Sequence, residues 1–420
     1  MKRQSGFRGV DRRMRVTLMA LGVVLLAGGP HAAAQPAQDV DFTSDPTFRA
    51  FRSAIFDGLA NQVGNIPNPT GGGFTFQFDP TLGVFTRTTE GFGPVFSDRA
   101  ETTGRGKITL NASYTRHTWD AVDGVKLGSG ALTVVAIGGT RLNLLEFREK
   151  IQADVFTIGG LYGVTDRLDV GVTIPILRVS VQERPRRTRF VDCAPDFSVC
   201  DPIVQRDDPL IAQKAETTAV GDIVLRAKYN VGRWDLWGGR VGFSTSLDVK
   251  LPTGDDGDRD AFVNPDLRFD PPTSGAVVDS FLALPDPPTG TGIFRFKPQL
   301  IVSGSWGSFS PHINVGAELG ETDGITNDLI YAVGFDWTIA GRATFVADLL
   351  GRHAFGVDRP KIDRDLGVKG KAGADTYTAS IGLRVNPIGT LLVFVNVLIA
   401  LNDAGLRDAV TPTFGLEWSF

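Results

Sequence analysis

The chain has 420 residues, with 43 lysines and arginines, 47 aspartates and glutamates and a formal net charge of −4. This acidic balance argues against nucleic acid as a partner, because nucleic-acid-binding domains carry clustered basic charge. Beyond the N-terminal stretch, no run reaches the roughly 18 apolar residues that predict a transmembrane helix.

Residues 1–34 predict a secretory signal peptide. A basic stretch is followed by an apolar run from Leu18 to Ala27 and by the cleavage-site-like triplet at 32–34. The run is too short to span about 30 Å of hydrocarbon as a helix, which disfavours a membrane anchor. Removing six basic residues and one acid leaves a mature chain with a net charge near −9. In an oxidising compartment, Cys193 and Cys200 are expected to form a local disulfide.

Residues 35–104 predict a separate, partly helical segment. Apolar residues recur with the spacing of one helical face at Phe48, Phe51, Ile55, Phe56, Leu59, Ala60 and Val63. A Gly/Pro-rich stretch and a Phe-rich stretch follow (Phe74, Phe76, Phe78 and Phe85). The pattern fits a periplasmic segment or a plug and does not choose between them.

From Gly106 onward the sequence alternates with period two, as in Arg240–Leu251. One face of each run is apolar and the other is small or charged, which is typical of a strand with two different environments. We predict an all-β fold, a transmembrane antiparallel up-and-down barrel at 105–420. Its twelve predicted strands are 106–118, 149–164, 167–181, 219–232, 239–252, 293–305, 309–320, 328–339, 342–353, 374–386, 389–402 and 409–420. A further hairpin at 131–145 leaves fourteen strands as the alternative.

Short and long connections alternate between these strands. Short periplasmic turns and long extracellular loops are typical of outer-membrane barrels. Five of the six tryptophans, at 234, 237, 306, 337 and 418, fall beside the short turns or the C-terminus, where an aromatic girdle is expected. The chain ends TPTFGLEWSF, which resembles the C-terminal signature that the barrel-assembly machinery reads. We expect Phe414, Trp418 and Phe420 to act as that assembly signal.

The charged residues expected to face inward are the candidate pore-lining residues. They are Asp222, Arg226, Lys228, Asp248, Lys250, His312, Glu318, Asp336, Asp348, Arg352, Arg384 and Glu417. Both signs are mixed, so pairing across the lumen and contact with a solute remain equally open. The sequence predicts no enzyme, cofactor or metal: it has no nucleophile elbow and no zinc-binding helix motif. The acidic run 255–260 has carboxylates that could bind calcium, but it lacks the EF-hand layout, which favours a solvated loop tip.

Three segments carry a family resemblance: LYGVTDRLDVGVTIPIL (161–177), GDIVLRAKYNV (221–231) and LDVKLPTGD (247–255). Their order resembles the outer-membrane transporter family of the meta-pathway of phenol degradation, distantly like the fatty-acid channels. The resemblance spans roughly residues 150–420 and implies uptake of small hydrophobic or aromatic compounds.

Together these features predict a passive channel for such solutes in the outer membrane of a Gram-negative bacterium. Its expected partners are outer-membrane lipid, lipopolysaccharide and the barrel-assembly machinery. A structural or surface-interaction barrel with a blocked lumen is the alternative.

Overall fold

The computed structural model describes residues 46–79, 81–129, 132–138, 141–184, 186–190, 208–209, 213–263, 284–322, 325–356, 359–363, 367–372 and 375–420. The predicted signal peptide and the predicted disulfide between Cys193 and Cys200 lie outside these residues. Within the described part, no helix has the length and apolar character needed to cross a membrane.

The described residues form two helices, one 3-10 turn and twenty-four strands. The helices are α1 (Pro46–Gly64) and α2 (Arg259–Val263), and the 3-10 turn is Leu127–Ser129. The first twelve strands are β1 Phe76–Asp79, β2 Val84–Arg87, β3 Ile108–Trp119, β4 Ala121–Val122, β5 Val125–Lys126, β6 Leu132–Gly138, β7 Arg141–Phe147, β8 Glu149–Gly163, β9 Leu168–Glu183, β10 Arg186–Phe190, β11 Asp208–Pro209 and β12 Gln213–Val220. The others are β13 Val224–Leu236, β14 Gly239–Lys250, β15 Arg295–Ser305, β16 Phe309–Glu318, β17 Asp328–Ala340, β18 Ala343–Ala354, β19 Arg359–Asp363, β20 Gly367–Ala372, β21 Thr376–Ile388, β22 Leu391–Ala400, β23 Leu406–Arg407 and β24 Val410–Ser419.

Twelve antiparallel strands close into one ring. Their order is β3, β8, β9, β13, β14, β15, β16, β17, β18, β21, β22 and β24, and β24 returns to pair with β3. The predicted number of barrel strands is therefore confirmed. The fourteen-strand alternative is wrong: the 131–145 region does form a hairpin, β6 and β7, but it pairs with β10 and β11 outside the ring.

One predicted strand, 219–232, is interrupted in the structure. β12 pairs with the far half of β9, and β13 pairs with its near half, so a break at 221–223 separates the two. Past the point where β13 leaves β9, the strands β3, β8, β9 and β12 therefore lie side by side, and we call this part of the wall the protruding sheet. The break has a physical cause, because Asp222 and Gly221 are occupied by contacts described below.

All connections at one end of the ring are tight turns, at 164–167, 237–238, 306–308, 341–342 and 389–390, and the last residue lies at this end as well. We call it the short-turn end and the opposite one the long-loop end. The outer face of the wall is apolar, with exposed residues such as Leu247, Ile313 and Phe414, while the alternate residues on the same strands are buried and polar. A closed ring has no unpaired edge, and its apolar exterior suits lipid. The fold is that of a transmembrane β-barrel.

Five tryptophans form a girdle at the short-turn end, and we refer to them as the tryptophan girdle (Trp234, Trp237, Trp306, Trp337 and Trp418). Trp237 is 84% exposed, and the ring centres of Trp418 and Phe420 lie 4.7 Å apart. The sixth, Trp119, is only 1% exposed and lies near the long-loop end. Indole rings at one height around a barrel are typical of a membrane–water boundary.

The predicted amphipathic helix is confirmed as α1, which begins at a proline suited to the first helical position. Its buried face belongs to a hydrophobic cluster at the long-loop end that includes Ile151 and Val179 of the protruding sheet, Phe262 of α2 and Leu406 of β23. The buried residues that α1 contributes are Ile55, Phe56, Leu59, Ala60 and Val63. Burial of each of the four larger side chains contributes about 1.5–3 kcal/mol, so α1 is held as a cap over the barrel mouth.

Candidate functional site

A segment of the chain lies inside the barrel. We define the inner segment as residues 65–105, between α1 and the first barrel strand. It forms hydrogen bonds with inward-facing side chains of β9, β13 to β16, β18, β21 and β24. The only strands in it, β1 and β2, pair with each other and not with the wall. The inner segment therefore lies within the ring and contributes no strand to its wall.

Residues 97–103 are its densest anchor. Asn314 accepts a hydrogen bond from the Asp98 amide at 2.6 Å and donates one to the Asp98 carbonyl at 2.8 Å. The Ala100 amide donates to Ser303 at 2.8 Å, and the Ala100 carbonyl accepts from Asn230 at 2.8 Å. A buried backbone without partners is costly, and here the wall side chains supply those partners.

The inward residues of the resemblance segments hold the same stretch. Arg226 joins Asp98 at 3.0 Å and forms a two-pronged pair with Asp248, Lys228 donates to the Glu101 carbonyl at 2.6 Å, and Asp169 accepts from the Thr103 amide at 2.8 Å. Close packing against the inner segment also explains why a glycine follows the tyrosine in the first of these segments. A Cβ on Gly163 would stand 1.8 Å from the Gly104 carbonyl oxygen. The three resemblance segments thus supply wall residues that bind the inner segment.

A second anchor lies between the inner segment and the closing strand. Arg384 pairs with Glu417 at 3.2 Å, and it donates to the Pro94 carbonyl at 2.6 Å. Glu417 in turn accepts from the Gly73 amide at 2.6 Å. A Cβ on Gly73 would come within 2.3 Å of Leu392, so only glycine permits this approach. Both charged side chains are 1% exposed, and each neutralises the other where water is excluded.

The Phe-rich stretch forms a small aromatic cluster within the inner segment. Phe74 and Phe92 meet edge to face at 5.3 Å, and the Arg87 guanidinium lies 4.4 Å from the centre of the Phe92 ring. Burial and the nearby Arg99 guanidinium lower the pKa of Arg87 to about 10. Leu392 of the wall completes the cluster. Of the predicted Phe-rich stretch, Phe74 contacts Phe76 as well as Phe92.

A band of ion pairs crosses the wall toward the long-loop end. Glu318 accepts contacts from Lys250 at 2.7 Å, Arg295 at 3.2 Å and Arg352 at 3.2 Å. Arg352 also forms an ion pair with Asp328, at 2.7 Å. The sequence allowed either pairing or solute contact for Lys250, Glu318 and Arg352. In the structure these three form ion pairs between strands of the wall.

Beneath α1 the inner segment leaves a chamber of about 260 Å³. We use this name for the cavity between residues 61–71, Phe96 and the polar wall. Its cationic lining comprises Arg226, Lys250, Arg295, Lys297, Arg352 and Arg407, and its carboxylates are Asp98, Asp248, Glu318 and Asp408. Trp119 and Leu398 add apolar surface. The chamber can therefore meet a ring and a charged group at the same time.

The structure brings the predicted pore-lining residues to several places. Six belong to the ion-pair band or the anchor around Asp98: Arg226, Lys228, Asp248, Lys250, Glu318 and Arg352. Arg384 and Glu417 form the second anchor, and Asp336 is buried against Gly91. Sequence analysis missed Arg295 and Asp328 of the band, although Arg295 alternates with the outward Phe294 and Phe296. It also missed Asn314 and Asn230, whose partners lie in a segment without periodicity.

His312 meets both Ser97 and Asp348, a trio that invites comparison with a catalytic triad. Ser97 Oγ lies 2.9 Å and Asp348 Oδ1 2.6 Å from the same ring nitrogen, Nε2. A proton relay needs the nucleophile and the acid on opposite ring nitrogens. Nδ1 of His312 is buried and has no hydrogen-bond partner among the described residues. The trio is an anchor of the inner segment.

Asp222 lies elsewhere, at the break between β12 and β13. It accepts hydrogen bonds from the amides of Gly254 at 3.1 Å and Thr291 at 2.8 Å. Thr253 bridges back to the Gly221 carbonyl at 2.6 Å. The Gly-Asp and Pro-Thr-Gly-Asp motifs therefore meet at one junction, where Asp222 fastens loops and does not face the chamber.

The acidic run 255–260 serves local structure. Asp255 accepts from the Gly257 amide at 2.7 Å, and Asp258 caps α2 through the Ala261 amide at 2.9 Å. Arg259 pairs with Asp57 of α1 at 2.9 Å. Over the part of the chain that the structure covers, no three His, Cys, Asp or Glu side chains converge as a metal site would require.

No family model matches the chain, and no curated protein matches it. Solved structures do. An outer membrane channel from Pseudomonas putida F1 matches with 12% identity over 78% of this chain and 100% of that one, at a TM-score of 0.43. A FadL homologue from Pseudomonas aeruginosa matches with 12% identity over 86% and 96%, at 0.29, and the toluene transporter TbuX of Ralstonia pickettii with 8% over 76% and 90%, at 0.31. These similarities are distant, and the assignment of the fold rests on the strand pairing.

Proposed function

We propose that the protein is an outer-membrane channel for passive passage of small solutes, in which the inner segment controls the lumen. One observation carries this proposal: the ring closes through β24, β3 and β8 without a strand from the inner segment. The segment is tied to the wall through side chains, so it can shift while every wall hydrogen bond stays intact. In these terms residues 35–104 are the plug and residues 105–420 the barrel.

For the solute we propose small hydrophobic compounds, and single-ring aromatic compounds in particular. The resemblance segments imply this class. An apolar cavity of about 150 Å³ suffices for benzene, and the chamber is larger, at about 260 Å³. Trp119 and Leu398 border the chamber, and the nearby cations suit a solute that also carries a polar or anionic group.

The proposal orients the barrel with its long-loop end outside the cell and its short-turn end in the periplasm. Residues 1–34 would direct export, and Phe414, Trp418 and Phe420, which share the outer face of β24, would be read by the barrel-assembly machinery. Their exposure to lipid, at 50–52%, supports this role, because a pore residue on that strand would face inward like Glu417.

Planar-bilayer recording tests the channel. We expect small, infrequent steps for the full chain and a several-fold larger conductance after deletion of residues 40–100. Liposome uptake of a labelled aromatic acid should rise in the same order. Unchanged flux in the deletion variant contradicts a controlling role for the plug.

The second candidate is a structural or surface-interaction barrel with a blocked lumen. The two anchors and the α1 cap favour it, because they occupy the ring from the mouth to the short-turn end. Absence of conductance steps in both the full chain and the deletion variant would support this candidate over the channel.

A further inference from the structure

The outer face of the barrel changes character abruptly on one side. Tyr114, Phe156, Ile176 and Val220 stand in register across β3, β8, β9 and β12 and face outward. Two residues further toward the long-loop end, the next outward row is Arg116, Asp154, Arg178 and Thr218. Apolar surface thus gives way to charge within one step along the strands, about 7 Å. Such a step marks the boundary between hydrocarbon and lipid headgroups.

Four cations stand at and above this boundary, and we call them the outer cationic patch: Arg116, Lys150, Arg178 and Lys214. Lys150 and Lys214 flank Gln182 in a second row, four residues beyond the first. The side chains of Arg116, Arg178 and Lys214 are 49%, 56% and 50% exposed. With strands about 4.8 Å apart and a rise of about 3.3 Å per residue, the patch measures roughly 14 by 13 Å.

The patch carries more positive than negative charge. Its carboxylates are Asp154, 3.5 Å from Arg116, and Glu216, which Arg178 and Lys214 share at 2.6 and 2.5 Å. Four cations therefore face two acids.

Three other strands of the wall differ. On β15, β16 and β24 the outward residues stay apolar up to the long-loop end, where Phe296, Leu319 and Val410 are 46%, 44% and 55% exposed. A protruding sheet that merely met water would need polar residues but no excess of one sign. Clustered arginine and lysine at headgroup height are the groups that bind phosphate.

We propose that the outer cationic patch binds the phosphorylated sugar headgroup of the outer-leaflet glycolipid. The inference rests on the outer-membrane location and orientation proposed above, and it does not depend on whether the lumen conducts. The glycolipid's acyl chains would lie on the Tyr114–Val220 row, and its phosphates would reach the cations of the next two rows. α1 packs on the inner face of the same sheet, so lipid binding would also brace the cap.

The test uses the full chain in detergent micelles, with bisphosphorylated lipid A as the probe and native mass spectrometry as the readout. The variant carries Lys150→Gln, Arg178→Gln and Lys214→Gln together. A matched control carries Arg167→Gln, Arg240→Gln and Arg342→Gln, which removes the same charge from exposed sites at the short-turn end. We expect the patch variant to bind lipid A at least tenfold more weakly than the wild type and the control to bind it as the wild type does.

Two further arms make the outcome decisive. Dephosphorylated lipid A should bind the wild type as weakly as lipid A binds the patch variant, and phosphatidylglycerol should not discriminate between the two proteins. Heat-modifiable migration on gels verifies that each variant is a folded barrel. Equal affinity for phosphorylated and dephosphorylated lipid, or equal weakening in the control, would overturn the proposal. Bilayer conductance, recorded on the same preparations, reports separately on the channel.

Discussion

Asn314 offers a sharp test of how the inner segment is held. It is 2% exposed, and its amide group satisfies both the N–H and the C=O of Asp98. Asn314→Ala leaves a buried donor and a buried acceptor without partners, at about 1–3 kcal/mol each. Because 1.4 kcal/mol is a factor of ten, the balance between bound and released segment should move by roughly 30-fold or more.

The assay is single-channel recording, with the fraction of time spent open as the measured quantity. Asn396→Ala is the matched control, since Asn396 is also 2% exposed and inward-facing but bonds only to Ser380 of the wall. We expect Asn314→Ala to open far more often than the wild type and Asn396→Ala to resemble it, although both lose some resistance to unfolding. Equal open fractions in all three proteins would refute the reasoning that links this anchor to the lumen.

Three other outcomes follow from local geometry. Gly163→Ala should impair barrel formation in a gel-shift folding assay, because the new Cβ would collide with backbone. Gly341→Ala should be neutral, because nothing lies within 4 Å of a Cβ at that position. Equal folding of the two variants would contradict this. Arg52→Ala should loosen α1 by about 3–5 kcal/mol in hydrogen exchange, since it breaks the buried ion pair between Arg52 of α1 and Glu183 of β9. Arg259→Ala, which breaks the partly exposed pair with Asp57, should change it by about 1 kcal/mol or less. Similar exchange in the two variants would argue against a role of the Arg52–Glu183 pair in holding α1. Brominated lipids should quench the tryptophan girdle, and Trp119→Phe should leave that quenching unchanged; a large loss of quenched signal in that variant would place Trp119 in lipid instead.

Sequence alone predicted the wall of this protein closely. A strand repeats its environment every two residues, so the apolar-out and polar-in alternation marked each of the twelve strands. The loop lengths and the tryptophan positions then indicated which end of each strand lies at the short-turn end of the barrel. The inward direction of residues such as His312 and Arg384 followed from the same alternation, which needs no knowledge of a neighbour.

Tertiary structure decided what those inward residues touch. Whether Arg226 pairs with Asp248, binds Asp98 or faces an open lumen depends on strands and a segment far away in the chain, and no local pattern encodes that distance. The inner segment has no regular periodicity, so its path down the ring was invisible in the sequence. The hairpin at 131–145 made the same point in reverse: its local pattern was right, but only pairing between distant strands excluded it from the ring.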